Sequence, residues 1–502
     1  MNALNQPFAP SASCPSSSSV KKGFVIGATG SGTGKTTITL ALLSCLRQMG
    51  YNVAPFKVGP DFIDPGHHTR VAGRTCYNLD SWMLPKAYNQ ELFNAKSRGA
   101  DIAVVEGVMG LFDGYDGRSE SGSTAQMAKW LDLPVVLVIS ARGKARSAAA
   151  IVKGFETFDP DLKLAGVIFS KTGSLRHYEY LKQAVEQYCK TPCLGYMPRN
   201  DSIVMPERHL GLVTVDEAGL DKQTLSTLSG MIRDHVDMAG LIKRLDPIPP
   251  GRPKEPDPIE PGPIKSNPIK SAQPEPDTHA PVIAVARDKA FCFYYPDNLE
   301  ILEQSGAILE EFSPLDDETL PPGIDGIYLG GGYPEVFAHR LSQKTEMLGR
   351  IHTLSRDGMP IYGECGGFMF LCRYLSGTDG GRTFPMAGCF DFKVTMSKQL
   401  RSLGYREIRL KKDTIIGKKG DRIRGHEFHY SSLENPDQDI ENVYQVASRA
   451  GQDIQLKGYR VLNTLGSYFH LHFGSNPESA RHFVAACRAY RERHLSHAGK
   501  RT

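Results

Sequence analysis

The chain has 502 residues, 40% of them hydrophobic, and a formal net charge of +4. That length exceeds what a single hydrophobic core serves and fits two domains. The small, scattered charge offers no footprint for nucleic acid or a membrane surface, and it is compatible with small anionic substrates.

Residues 1–21, rich in Ser and Pro, read as a disordered tail without the apolar run of a signal peptide. No stretch nears the roughly 18 consecutive apolar residues that suggest a membrane-spanning helix. Ten cysteines run from Cys14 to Cys487 without a CxxC pair, which fits reduced thiols in the cytoplasm better than disulfides or structural zinc.

From Lys22 to about Lys243, apolar runs alternate with helical patterns: GFVIGA, TTITLALLSCLRQMG, NVAPFKV, DIAVVEG, LPVVLVIS and LAGVIFS. This is the pattern of a parallel sheet covered on both faces, and it predicts a doubly wound α/β domain over residues 22–245. Between the first strand and the first helix lies GATGSGTGKTT, a phosphate-binding loop in its proper context. Gly30, Gly32, Thr33, Gly34, Lys35, Thr36 and Thr37 are its expected ATP contacts. Lys35 is suited to the β and γ phosphates and the Thr36 hydroxyl to Mg²⁺, so ATP and Mg²⁺ are the expected cofactors. Thr29 stands where GxxxxGK[ST] asks for glycine, and Gly30 stands where partitioning ATPases carry a lysine, which argues against a partitioning switch.

Acids gather in two stretches that should end on the carboxyl edge of the sheet, where doubly wound folds bind ligands: FKVGPDFIDPGHH and VVEGVMGLFDGYDG. Asp61 and Glu106 are the expected metal ligands, with Asp64 and Asp113 placing substrate or metal. Asp113 and Asp116 read equally well as acids that turn the chain. The adjacent His67 and His68 make a poor chelating pair, and a surface or substrate contact is expected of them.

Between residues 246 and 281, twelve of thirty-six residues are proline, which predicts a semi-rigid linker over 246–280. The α/β alternation then resumes over 281–495, with antiparallel features expected in 386–465. Within it, MPIYGECGGF places Cys365 after an apolar strand and before two glycines, the turn that lifts a nucleophile into a strained, exposed position. The following helix N-terminus is expected to favour thiolate. GSYFHLHF offers His470 as the base and His472 two residues on, on the same strand face.

The stretches GATGSGTGKTT, PFKVGPDFIDPGHH, YNLDSWML, VVEGVMGLFDG, GVIFSKTGSLRHYEYL, PERHLGLV, LGGGYPE, YGECGGFMFL, GYREI, RGHEFHYS and GSYFHLHFGSNP resemble the cobyrinic acid a,c-diamide synthase family. The resemblance covers nearly all of the chain outside the tail and the linker. It implies two doubly wound α/β domains, a dethiobiotin synthetase-like P-loop NTPase and a class I glutamine amidotransferase-like domain. The implied reaction amidates the a and c carboxylates of a corrinoid ring with ATP and glutamine, in cobalamin synthesis. Metal-free hydrogenobyrinic acid and nickel sirohydrochlorin are alternative rings of the same chemistry. Of another class is a non-catalytic nucleotide-binding regulator with a degenerate amidotransferase domain.

The resemblance also implies a catalytic pair Cys365 and His470, with His472 in place of the glutamate that class I enzymes use to orient the base. An oxyanion hole is expected from Gly331 or Gly332 in LGGGYPE, Gly332 being favoured, together with Gly366. Family members usually carry asparagine where this chain has Ser170. The implied partners are a corrinoid polycarboxylate, glutamine and ATP, with no nucleic acid and no membrane, and a homodimer is allowed. Ammonia would pass from Cys365 to a carboxylate activated as an acyl phosphate.

Overall fold

The computed structural model describes residues 22–200, 207–208, 211–212, 220–247, 280–377, 382–434 and 440–498. The expected tail and the expected linker, apart from residues 246, 247 and 280, lie outside the described residues. The first domain is built on strands β1 (Lys22–Ala28), β2 (Val53–Val58), β3 (Tyr77–Leu79), β4 (Ile102–Glu106), β5 (Val135–Ser140), β6 (Leu164–Thr172) and β7 (Cys193–Pro198). They pair in the order β3-β2-β4-β1-β5-β6-β7, all parallel.

Every residue of β2 and of β4 is buried, as a sheet covered on both faces requires. Alternate residues feed opposite cores: Val25 of β1 joins one cluster and Phe24 and Ile26 the other. Helix α1 (Lys35–Gln48) follows β1, and helix α2 (Asp64–Ala72) follows β2. The register sets Lys57 of β2 beside Glu106 of β4, and Ile26 of β1 on the other side of Glu106. The phosphate loop and the acids therefore meet at one sheet edge.

The second domain carries a seven-stranded sheet in which Ile308–Phe312, Val282–Ala286, Gly326–Leu329, Ile361–Glu364 and Thr464–Ser467 run parallel. Tyr459–Val461 and Glu441–Asn442 extend it antiparallel. A four-stranded and a five-stranded sheet overlap the region 386–465 expected to be antiparallel and draw in strands on either side of it, with Cys372–Ser376 running parallel to Phe390–Met396; the five-stranded sheet ends with Arg422–His429 antiparallel to Phe469–Leu471. The strand carrying His470 is thus shared between the turn out of the parallel sheet and this second sheet.

The domains pack through aromatic and charged side chains. Tyr405 donates to Asp80 at 2.7 Å, and its ring lies 4.9 Å from Trp82. Arg424 donates to the Trp82 carbonyl at 3.0 Å, and Tyr88 donates to Asp297 at 2.8 Å. Tyr295 of the second domain belongs to the buried core of the first.

Gly367 shows how tightly the nucleophile turn is seated. Its amide donates to the Gly330 carbonyl at 2.9 Å, and a Cβ there would lie 2.1 Å from the Leu329 oxygen. Gly367→Ala must push backbone away from backbone, and a loss of about 1–3 kcal/mol is expected. A lowered melting temperature in a thermal scan of the full chain would be the result.

Candidate active site

The nucleotide cradle is shaped by glycines: Gly32 (φ +72°) and Gly34 (φ +89°) take left-handed conformations, with Gly34 capping α1. Thr33 donates to the Gly30 carbonyl at 3.0 Å, which closes the loop, and Thr36 and Thr37 sit half-buried in the first turn of α1. Ser170, 3% exposed, donates its hydroxyl to the Thr33 carbonyl, so the residue that stands for the usual asparagine braces the cradle backbone. Lys35 donates to the carbonyl of Met109 at 2.7 Å. Burial, and then the Lys57 charge, push the Lys35 ammonium down to about 8.

Three of the four expected acids converge on a cation that sequence reasoning missed. Lys57 lies 2.6 Å from Asp64, 2.9 Å from Glu106 and 3.6 Å from Asp61. Burial alone would push its ammonium down, but Asp64 and Glu106 more than offset that and hold it protonated. Thr36 donates to Glu106 at 2.7 Å and reaches Asp64 at 3.2 Å, so the loop hydroxyl joins the same cluster. The second oxygen of Glu106 meets His68 at 2.7 Å. Burial would raise the Glu106 carboxyl; Lys57 and His68 outweigh it and hold it well below the usual range. Among the described residues, no three acidic, His or Cys side chains close on one point as a metal cage.

The expectation of a surface contact for the two histidines is corrected: His67 is 2% exposed and His68 fully buried, because α2 turns both into the protein. Asp61 has a second task. Its Oδ1 accepts from the amides of Ile63 at 2.9 Å and Asp64 at 3.0 Å, which caps the start of α2. Asp113 is exposed, and one of its oxygens accepts from the Gly110 amide at 2.9 Å, beside but outside the Lys57 cluster. Asp116 likewise turns the chain, accepting from Arg118 and Ser119.

In the second domain, Cys365 sits between strand and helix at φ +45°, ψ −101°, the strained conformation its neighbours suggested. It is only 7% exposed, which corrects the expectation of an exposed thiol. Burial, and then the Glu335 charge, push the thiol up, outweighing the downward pull of the Gly366 amide at the start of the six-residue helix Gly366–Leu371. Sγ lies 3.7 Å from the Phe428 carbonyl.

The expected oxyanion loop and base come together around it. The Gly331 amide is spent on the Phe293 carbonyl at 3.2 Å, whereas no backbone carbonyl takes the Gly332 amide among the described residues. The Gly332 nitrogen would lie 2.9 Å from a Cβ at Gly366, so the two amides are close neighbours. His470 packs on Gly331 so tightly that a Cβ there would lie 2.2 Å from its Cε1. Burial, and then His426 and His429, push the His470 imidazole down to about 3. His472 is engaged elsewhere, with Nδ1 accepting from Gly474 at 3.1 Å and Nε2 at 3.3 Å from Asp297.

Phe62, between Asp61 and Asp64, joins the two halves. Its ring centroid lies 4.8 Å from that of His470, 4.7 Å from Tyr295 and 5.4 Å from Phe293. One aromatic wall therefore has the acid cluster on one side and the histidine on the other. Sequence reasoning passed over Phe62 because its partners lie in the other domain.

Residues 24–213 match the CobQ/CobB/MinD/ParA nucleotide binding domain, and residues 282–478 the CobB/CobQ-like glutamine amidotransferase domain. The chain is 42% identical to the cobyrinate a,c-diamide synthase of Dehalococcoides mccartyi strain CBDB1, over 92% of this chain and 97% of that one. The enzyme of the same name from Salmonella typhimurium strain LT2 is 41% identical over 93% of this chain and 98% of its own length. That from Leptospira interrogans strain Fiocruz L1-130 is 41% identical over 92% and 98%.

Two outcomes are expected. Lys57→Met leaves Glu106 and Asp64 buried against each other without their cation, and should cost about 3–5 kcal/mol, read as a fall in melting temperature. Stability should also drop as pH falls from 6.5. His470 and His426, pushed down to about 3 and about 4, stay neutral in the folded chain while the unfolded chain takes up protons. A His426→Asn variant should flatten that slope in thermal scans between pH 6.5 and 4.

Proposed function

The chain belongs to the cobyrinate a,c-diamide synthase family, and from that membership we infer that it amidates the a and c carboxylates of cobyrinic acid with ATP and glutamine. It is a carbon–nitrogen ligase that draws its nitrogen from glutamine. The observation that carries the reading is the shared wall: Phe62 touches His470 on one side and is flanked in the chain by Asp61 and Asp64 on the other. Nitrogen released at one site has a short way to the other.

In the glutaminase half, the Cys365 sulfur attacks the amide carbon of glutamine while its proton passes to His470. Gly332 and Gly366 amides hold the oxyanion. His470 returns the proton to the leaving nitrogen, the C–N bond breaks, and a glutamyl thioester remains for water to hydrolyse to glutamate. A buried, neutral His470 is able to take that proton, and the thiol is held in its neutral form until substrate arrives.

In the synthetase half, a free carboxylate does not react with ammonia until its oxygen is made a leaving group. Phosphoryl transfer from ATP gives an acyl phosphate, ammonia adds to the acyl carbon, and phosphate departs. Gly30, Gly32, Thr33, Gly34 and Thr37 cradle the triphosphate through the loop, and Lys35 exchanges the Met109 carbonyl for phosphate oxygen. Thr36, Asp61, Asp64 and Glu106 are hard oxygen donors that suit Mg²⁺, which takes one or two carboxylates beside phosphate oxygens and needs no cage of three side chains. Mg²⁺ held there would neutralise charge on the transferred phosphoryl group. Asp113, close enough for Lys35 to feel its charge, is assigned to substrate positioning.

No described helix is long and apolar enough to cross a membrane, and the described cysteines are free thiols. We place the reaction in the cytoplasm, with small-molecule substrates.

The test is mass spectrometry of cobyrinic acid and hydrogenobyrinic acid incubated in parallel with ATP, Mg²⁺ and glutamine. Two amidations on cobyrinic acid are expected; two on the metal-free ring alone would move the substrate to that ring. Cys365→Ala should lose glutamine-supported product and keep product made with high ammonium. Failure of ammonium rescue would overturn the two-site scheme.

A further inference from the structure

The glutamate expected two residues after His470 is replaced by His472, whose Nδ1 accepts from the Gly474 amide and whose Nε2 faces Asp297 at 3.3 Å, so its ring is turned to partners other than His470. His470 Nδ1 is itself buried and makes no hydrogen bond among the described residues. A buried ring nitrogen left so is costly unless something completes it. The carboxylate oxygen Oε2 of Glu364 stands 3.9 Å from it.

Glu364 is the last residue of strand Ile361–Glu364, immediately before Cys365, and is 2% exposed. Its Oε1 accepts from the Tyr362 hydroxyl at 2.7 Å and from the Leu471 amide at 3.0 Å; its Oε2 accepts from the Tyr328 hydroxyl at 3.2 Å. Three donors aim the carboxylate, and one of them is the amide next to His470. Acid and imidazole are therefore held on a common frame, with room for one more donor at Oε2.

We propose that Glu364 is the positioning acid of the amidotransferase site, its Oε2 taking a hydrogen bond from His470 Nδ1–H so that Nε2 is left for the Cys365 thiol. The proposal rests on the roles given to Cys365 and His470 above and deepens them. The gap of 3.9 Å exceeds a hydrogen bond, as catalytic contacts commonly do before substrate binds and tightens them. When the thiol proton moves to Nε2, the Nδ1 proton stays on the ring and the new imidazolium faces a carboxylate. Burial raises the Glu364 carboxyl to about 8 against the pull of Tyr362, so the imidazolium is the partner that favours its ionised form. Of the other charged groups around the pair, His426 and His429 lie beside His470, and the Glu427 carboxylate is taken up by His429 at 3.0 Å and Arg406 at 2.8 Å, while Glu335 and Glu427 act on the Cys365 thiol.

The experiment compares Glu364→Gln and Glu364→Asp with the unaltered full chain, each assayed for glutaminase activity and for ammonium-supported amidation. Glu364→Gln should lower glutaminase kcat roughly 100-fold. The KM for glutamine should stay within about twofold, Glu364→Asp should regain part of the rate, and the ammonium reaction should be unchanged. An unchanged kcat, or an equal loss in the ammonium reaction, would overturn the proposal.

Cys365→Ala is run alongside: if it keeps glutaminase activity, the nucleophile assignment falls; if it alone loses activity, only the role of Glu364 falls. A measurement on the unaltered protein covers variants that do not fold. After a diazo-ketone analogue of glutamine alkylates Cys365, nitrogen-15 spectra of labelled histidines should show His470 with its proton on Nδ1. A neutral ring protonated on Nε2 alone would overturn the assignment.

Discussion

Lys57 carries its ammonium into a place 4% exposed and holds Asp64, Glu106 and Asp61 within 4 Å of it. Removing water from Lys57, Glu106 and most of Asp64 is expensive, and their mutual pairing offsets that cost, with the partly exposed Asp61 at the rim. Much else follows from it. With its acids drawn to one cation, the segment after β2 has little freedom; Asp61 can cap α2 while Phe62, next in the chain, is turned toward the second domain and onto His470. The place where phosphoryl transfer is proposed and the wall of the glutaminase site are set by the same short stretch.

The second domain solves a different problem. A thiol and an imidazole both buried are both driven to their neutral forms, by desolvation first in each case. Neither charge is stable alone in such a place, while a thiolate and an imidazolium formed together relieve each other. In the proposed mechanism, reactivity then waits on the substrate, which would bring the oxyanion charge assigned to the amides of Gly332 and Gly366. The strain at Cys365, with φ at +45°, is sustained by a turn in which glycine is required by close backbone contact.

Features written in adjacent residues were legible in the sequence: the phosphate loop between strand and helix, the cysteine turn, and the parallel sheets with both faces apolar. Features that depend on distant partners were not. Lys57 in NVAPFKV looks like the polar end of a strand; its meaning comes from Glu106, its neighbour only through the register of β2 and β4. His68 follows Asp64 in a segment that reads as an exposed turn, and only the direction of α2 carries it inward. The depth of Cys365 was misjudged for the same reason, since the neighbouring turn does not reveal the sheet of Arg422–His429 that covers it through Phe428. Asp113 and Asp116 show the converse, acids whose turn-forming use was readable from their loops alone.

Tyr295 lies in the buried core of the nucleotide domain, although its neighbours in the chain belong to the other half. The border drawn by packing is therefore not the border drawn by chain order. During synthesis the amino-terminal half emerges and folds first. Until residue 295 has left the ribosome, that half presents Phe62, Trp82 and Tyr88 without the side chains that later cover them. The chain from the proline-rich stretch on to Tyr405 must be made before this sticky face is fully covered. The same border means that the fragment after a cut in that stretch would hold Tyr295, a part of the first half's interior.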